Sequence, residues 1–136
     1  EARSAKEILL LCSKHLSESD IVSVCTALNR IAKCHDRRSA CTDPGLAYLE
    51  DKLLALFRDS SVQKSPQSIA NSAWAVAKIG KGNKQLMDAI AAEALKKLHE
   101  LRSQDLSITA WAYSTLRICN GPLLDAISAA ALATLG

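Results

Sequence analysis

Cysteine and histidine are the residues of this sequence best suited to bind a metal ion, and most of them lie in its first third. Cys12 and His15 are three residues apart, and Cys34, His35 and Cys41 follow. A structural zinc site needs four converging ligands, typically supplied as closely spaced pairs. The spacing here is irregular. We therefore predict free thiols and no metal site.

Catalytic chemistry would need other groupings, which the sequence does not show. The three histidines are far apart, and neither a Ser-His-Asp order nor a glycine-rich phosphate loop accompanies them. We expect no enzyme activity, no cofactor and no small-molecule substrate. An odd number of cysteines without a disulfide-like pattern favours a reducing compartment.

Composition limits the fold that must position any site. The chain has 136 residues, of which 49% are hydrophobic, 4% aromatic and 23% charged, and its net charge is +3. Alanine and leucine supply most of the apolar content, whereas strands favour β-branched and aromatic residues. No apolar run reaches the length of about 20 residues that a membrane-spanning helix needs. These features predict an all-α protein without a membrane segment.

An internal repeat organises the sequence. When it is shifted by 37 residues, 67–98 falls on 104–135 without a gap, and 13 of the 32 pairs are identical. The only two tryptophans, Trp74 and Trp111, fall in register. An eroded copy at 20–31 matches the start of this unit with Thr26 in place of tryptophan.

Each repeat unit is predicted to form two helices. In the central unit Ser65 and Pro66 predict the start of a helix over 66–79, and Gly80 predicts its end. A partner helix is predicted over 84–101, and the Asn120-Gly121-Pro122 segment is predicted to form the matching turn of the next unit. Such pairs bury their apolar stripes only by stacking.

The predicted fold is therefore an all-α, α-solenoid array of stacked two-helix repeats of about 37 residues. Its predicted units are 1–16 (a half unit), 17–64 (degenerate, with a loop insert at 35–45), 65–102 and 103–136.

The segment 66–80 also carries a resemblance, since it reads PQSIANSAWAVAKIG. This resembles the first helix of the heptatricopeptide and octotricopeptide repeats, a class of organellar RNA-binding helical repeats related to those of FAST-kinase-domain and RAP-domain proteins. The match is strong over 66–101, good over 103–135 and partial over 17–57. Ser103 and Ile108 depart from the pattern in the last unit.

The resemblance implies RNA binding in an organelle, usually the mitochondrial matrix after removal of an N-terminal targeting segment. It also implies partners that are RNA, single-stranded or ribosomal, and proteins of a ribonucleoprotein such as the mitochondrial ribosome. An alternative is a protein-interaction scaffold in a mitochondrial assembly that has lost direct RNA readout.

The candidate RNA-contacting residues lie mainly on the first helices, at positions predicted to point away from the tryptophans (68, 71, 75 and 78 in the central unit). Amide groups can read base edges, and basic groups can neutralise phosphates. Two rows cross the units, with Ser23, Asn71 and Ile108 in one and Arg30, Lys78 and Thr115 in the other. The alternative is an ordinary solvated helix face.

Three further features complete the sequence-based predictions. Trp74 and Trp111 could stack on bases, as aromatic residues do in single-strand binders. We predict instead that both are buried between helix pairs, because tryptophan buries a large area in a core. Arg37 and Arg38 of the insert would suit an RNA backbone or an acidic protein. A basic ridge, or alternatively a solubilising surface, is predicted from Lys78, Lys81, Lys84, Lys96, Lys97 and Arg102.

Overall fold

The structure is a computed structural model that describes residues 4–15, 20–80 and 82–135, and these residues form helices and turns but no strand. The prediction of an all-α fold is confirmed. None of the described helices is long and apolar enough to cross a membrane. The α-helices are α1 (Ala5–His15), α2 (Ile21–Lys33), α3 (Pro44–Arg58), α4 (Pro66–Ile79), α5 (Lys84–Lys96), α6 (Ser103–Thr115) and α7 (Gly121–Leu135).

Local signals fix the ends of α4, which begins and ends where the sequence predicts. The Ser65 hydroxyl accepts a hydrogen bond from the backbone N–H of Ser68 at 3.1 Å, and Pro66 occupies the first turn. Gly80 closes the helix with a φ of 87°, a left-handed conformation that a side chain would strain.

Two series of helices pack along the chain. The first helices α2, α4 and α6 contact one another in sequence order, and α3, α5 and α7 do the same in a second series. The helix α1 contacts both α2 and α3. Small side chains line the crowded surfaces of α4, where Ala70, Ala73 and Ala77 are all buried, so the neighbouring helices approach closely.

Two predicted boundaries are wrong. The helix α5 ends at Lys96 rather than at 101, because Lys97 leaves the α conformation and Leu98–Glu100 tightens into a 3₁₀ helix. In the last unit, Gly121 and Pro122 already belong to α7. The Asn120 side chain accepts a hydrogen bond from the N–H of Leu123 at 3.1 Å, so it caps the helix start instead of forming a turn.

The insert at 35–45 is folded rather than a plain loop. Arg37–Thr42 form a 3₁₀ helix, called the insert helix below, and α3 already begins at Pro44. The insert helix buries Ala40 and contacts α1, α2 and α4. Its apolar contacts and the Asp43 side-chain cap on Gly45, at 2.8 Å, account for this order.

Candidate nucleic-acid interface

A narrow stripe of α4 faces solvent. It consists of Gln67, Asn71, Trp74 and Lys78, of which the glutamine and lysine are exposed and the other two half-buried. At 100° per residue these four positions lie within an arc of about 60°. Every other residue of α4 after Pro66 is buried. The stripe is therefore the only surface that most of this helix presents.

The same positions are open in the neighbouring first helices. In α6 they are Gln104, Ile108, Trp111 and Thr115, and in α2 they are Ser23, Thr26 and Arg30. Six of these seven side chains are exposed, and Ile108 is half-buried. Because α2, α4 and α6 contact in order, the three stripes lie side by side. We call these eleven residues the first-helix face.

The sequence placed half of the central candidate positions correctly. Asn71 and Lys78 do reach the first-helix face, but Ser68 and Ala75 are buried. The physical reason is that α4 is packed between α2 and α6. On the α2 side the Cys25 thiol lies 3.0 Å from the Ser72 hydroxyl, which closes that flank of α4 to solvent.

The tryptophans lie on this face, contrary to the prediction that both are buried. Trp111 is 43% exposed, and Trp74 is half-buried with part of its ring against the core. The apolar residues of α4 are spread around the helix, so the position of tryptophan among them could not show which arc is open. Trp74 lies at the edge of the α4 stripe, next to the position of Lys78.

Asn71 has the free hydrogen-bonding groups that base readout requires. Within the part of the chain that the structure describes, its side-chain amide has no hydrogen-bond partner, and the same holds for Gln67 and Gln104. An amide can donate to and accept from a base edge at once. At the matching position α2 offers the Ser23 hydroxyl, whereas α6 offers only the aliphatic Ile108.

Basic residues gather at one end of the first helices. We call this group the basic edge: it comprises Arg30 and Lys33 in the last turn of α2, Lys78 in the last turn of α4, Arg38 of the insert helix and Arg117 just after α6. All five are exposed, and none forms an ion pair within the described ranges. Sequence reasoning missed Lys33 and Arg117, although both occupy helix ends where a basic residue complements the dipole.

Arg37 has a different environment from its neighbour. Its Nε donates to the backbone oxygen of Lys78 at 3.2 Å, and its Nη1 donates to the oxygen of Cys34 at 3.2 Å. These bonds tie the insert helix to the end of α4. Arg37 is thus engaged by the fold, while Arg38 beside it is open to a ligand.

The remaining lysines do not join Lys78 in one ridge. Lys84 and Lys96 belong to α5 in the second series, where they pair with Asp88 at 2.9 Å and Glu93 at 3.7 Å. Lys97 is half-buried after α5, and Arg102 is exposed before α6. Lys81 lies outside the described residues.

The thiols have no metal-binding arrangement in the described residues, which contain no group of three or more potential ligands. Cys25 is buried, and its burial raises the pKa of the thiol. Cys41 donates to the backbone oxygen of Ile79 at 3.5 Å. The side chains of Cys12 and His15 lie outside the described residues.

Comparison with known proteins finds a relative by sequence similarity. The chain is similar to a protein of Oryza sativa subsp. japonica named "RAP domain-containing protein, chloroplastic", with 32% identity over 122 aligned residues. The alignment covers 79% of this chain and 19% of that protein, so the chain spans about a fifth of its length. No family model matches the chain, and no solved structure matches it.

Proposed function

We propose that this chain is a segment of an organellar RNA-binding protein that holds single-stranded RNA along the first-helix face. The observation that carries the proposal is the alignment of three solvent-open stripes beside a basic edge that has no acidic partner among the described residues. The similarity to a chloroplastic RAP domain-containing protein and the heptatricopeptide-like sequence of 66–80 support it.

The architecture that we propose for this role is an α-solenoid of two-helix units at 17–64, 65–102 and 103–136, preceded by a half unit. Two parallel series of helix contacts support stacked pairs of this kind. Neighbouring packed helices are about 8–10 Å apart. An extended RNA strand crossing the first helices would therefore meet an equivalent set of side chains at each unit.

Electrostatics would hold the strand, and amides would contact its bases. The side chains of Arg30, Arg38 and Lys78 have no ion-pair partner in the described ranges, so neutralising a phosphate costs them no existing interaction. Asn71 and the two glutamines supply hydrogen-bonding groups next to these charges. We propose a binding role without catalysis.

A salt-titrated binding assay with labelled single-stranded RNA tests this proposal. Each phosphate contact on a single strand contributes about 0.7 to the slope of log affinity against log salt. We expect Lys78→Gln and Arg30→Gln each to weaken binding and to reduce this slope by about that amount. Asn71→Ala should weaken binding without changing the slope.

Lys96→Gln is the matched control, because it removes the same charge from the second series of helices. The RNA affinity of Lys96→Gln and its salt slope should equal those of the unsubstituted chain. If Lys78→Gln and Lys96→Gln behave alike, the first-helix face is not the RNA-binding surface.

The compartment that we propose is the mitochondrial matrix, as the repeat resemblance implies, with a ribonucleoprotein such as the mitochondrial ribosome as the setting. The chloroplastic relative supports an organelle in general. A fluorescent fusion of the full-length protein would test this. Signal confined to the cytosol would contradict an organellar role.

A second candidate is a protein-interaction scaffold without direct RNA readout. Ile108 at a readout position and the exposed Leu10, Val22 and Leu132 favour it, since exposed apolar side chains suit a protein partner. Crosslinking the protein in its native assembly separates the two functions. Crosslinks from the first-helix face to protein alone would support the scaffold.

A further inference from the structure

We propose that Trp111 and Trp74 each stack on a base of the bound RNA strand, so that the second and third units hold bases by their rings in addition to the phosphate contacts of the basic edge. The inference rests on the proposed RNA binding and adds a specific chemical role for the two indoles. Base–aromatic stacking tolerates any sequence, because every base has a π-face.

Exposure of the ring is the first observation. Trp111 is 43% exposed, although tryptophan is normally highly buried. Its repeat counterpart Trp74 also reaches solvent while packing partly on the core. Two units thus present an indole at the same place on the first-helix face, which is the arrangement that contact with successive parts of one ligand requires.

The surroundings of the rings indicate the occupant. The first-helix face contains no carboxylate, and Lys78 lies four positions after Trp74 on the same stripe. On the N-terminal side of the rings, Gln67 precedes Trp74 and Gln104 precedes Trp111, each by seven positions. A ligand that fits has flat apolar rings, hydrogen-bonding edges and a negative backbone, and single-stranded RNA combines all three.

The first unit lacks this group, because Thr26 occupies the tryptophan position in α2. The same unit carries two residues of the basic edge in its last turn, Arg30 and Lys33, and adds Arg38 through the insert helix. The first unit therefore supplies three of the five basic-edge residues and no ring contact. We expect removal of an indole to lower affinity without changing salt dependence, and removal of a first-unit charge to change both.

The test uses the full chain with labelled oligoadenylate and oligouridylate. Since the chain has two tryptophans, Trp74→Phe leaves Trp111 as the sole indole. We expect oligoadenylate to quench the fluorescence of this variant on binding. Trp111→Ala should weaken binding by about tenfold at an unchanged salt slope, and Trp111→Tyr should restore most of it. Trp111 is suited to this test because its exposure makes substitution tolerable to the fold.

Tyr48→Ala is the matched control, because Tyr48 is an exposed aromatic residue of α3 in the second helix series and is 50% exposed. It should bind RNA as the unsubstituted chain does. RNA binding without quenching, and with full affinity in Trp111→Ala, would overturn the stacking role while leaving the proposed function intact. Failure of the unsubstituted chain to bind either oligonucleotide would overturn the proposed function itself.

Discussion

Arg117 adopts a φ of 56° at the repeat position where Gly80 has a φ of 87°. Both residues follow the end of a first helix and reverse the chain toward the second one. After α6 the N–H of Ile118 donates to the oxygen of Tyr113 at 3.0 Å, a closing bond typical of a left-handed helix end. The last unit keeps the geometry of the repeat without its glycine.

This relationship predicts that Arg117→Gly stabilises the protein. A left-handed conformation costs a non-glycine residue about 1 kcal/mol, and glycine avoids this cost. Part of the benefit is offset, because glycine also gives the unfolded chain more conformational entropy. We expect the free energy of unfolding, measured by urea denaturation, to rise by about 0.5 kcal/mol. Arg117→Ala removes the charge but keeps the strain, so it should show no such rise. Equal effects of the two variants would refute the conformational explanation.

Tyr113 predicts a second stability change. Its side chain is fully buried in α6, and its hydroxyl donates to the backbone oxygen of Met87 in α5. Burial raises the pKa of this phenol, which keeps it protonated as a donor. Tyr113→Phe should lower the free energy of unfolding by about 1 kcal/mol, because the buried hydrogen bond from the hydroxyl to this carbonyl is lost. Tyr48→Phe, at an exposed site, should leave it unchanged in the same denaturation assay.

The two neighbouring arginines of the insert helix should respond differently to substitution. Arg37→Ala removes the bonds to Lys78 and Cys34, and we expect a loss of about 1 kcal/mol in the free energy of unfolding. Arg38→Ala should keep full stability and reduce the salt slope of RNA binding by about 0.7. Thermal unfolding and salt-titrated binding measure the two effects. A stability loss shared equally by both variants would contradict the anchoring role of Arg37.

Asp20 predicts an acid dependence of stability. Its carboxylate accepts a hydrogen bond from the Ser23 N–H at 3.0 Å, and this bond lowers the pKa of Asp20 below its ordinary value of 3.8. The folded protein therefore binds the proton more weakly than the unfolded chain. The stabilising contribution is full above pH 4 and disappears as the pH falls through the lowered pKa.

Asp20→Asn keeps the helix cap and removes the titration. Urea denaturation at a series of acidic pH values should show the unsubstituted chain losing stability more steeply than this variant below about pH 4. The acid-sensitive Asp59 is common to both proteins, and its contribution cancels in the comparison. If the two pH profiles are parallel, protonation of Asp20 does not change the free energy of unfolding, and the prediction is wrong.

The predictability of each feature follows from how local its cause is. The bounds of α4 were predicted from Ser65, Pro66 and Gly80, because caps and turns depend on a few adjacent residues. The exposure of Trp111 was not predictable in this way, since it depends on which surfaces of α6 the neighbouring helices cover. Arg37 illustrates the same limit, because one of its backbone acceptors belongs to the distant helix α4 and the other to Cys34 at the end of α2.

The candidate site contains both correct and wrong predictions. Asn71 and Lys78 were predicted to face solvent from helical spacing that directs them away from the tryptophans, and both do reach the open face, although Trp74 shares it. Ala75 was misplaced, because helical spacing alone gives a direction and not the width of the exposed arc. The arc is narrow only because α2 and α6 flank α4 on both sides.

The insert helix also affects how the array comes apart. It links α1, α2 and α4, so opening the boundary between the first two units must break its contacts as well as those between the first helices. In the α-solenoid proposed above, stability is the sum of nearest-neighbour terms, and the insert helix adds contacts to the boundary between α2 and α4. Amide hydrogens should therefore exchange more slowly in α2 and α4 than in α6 and α7, so that opening begins away from the insert helix.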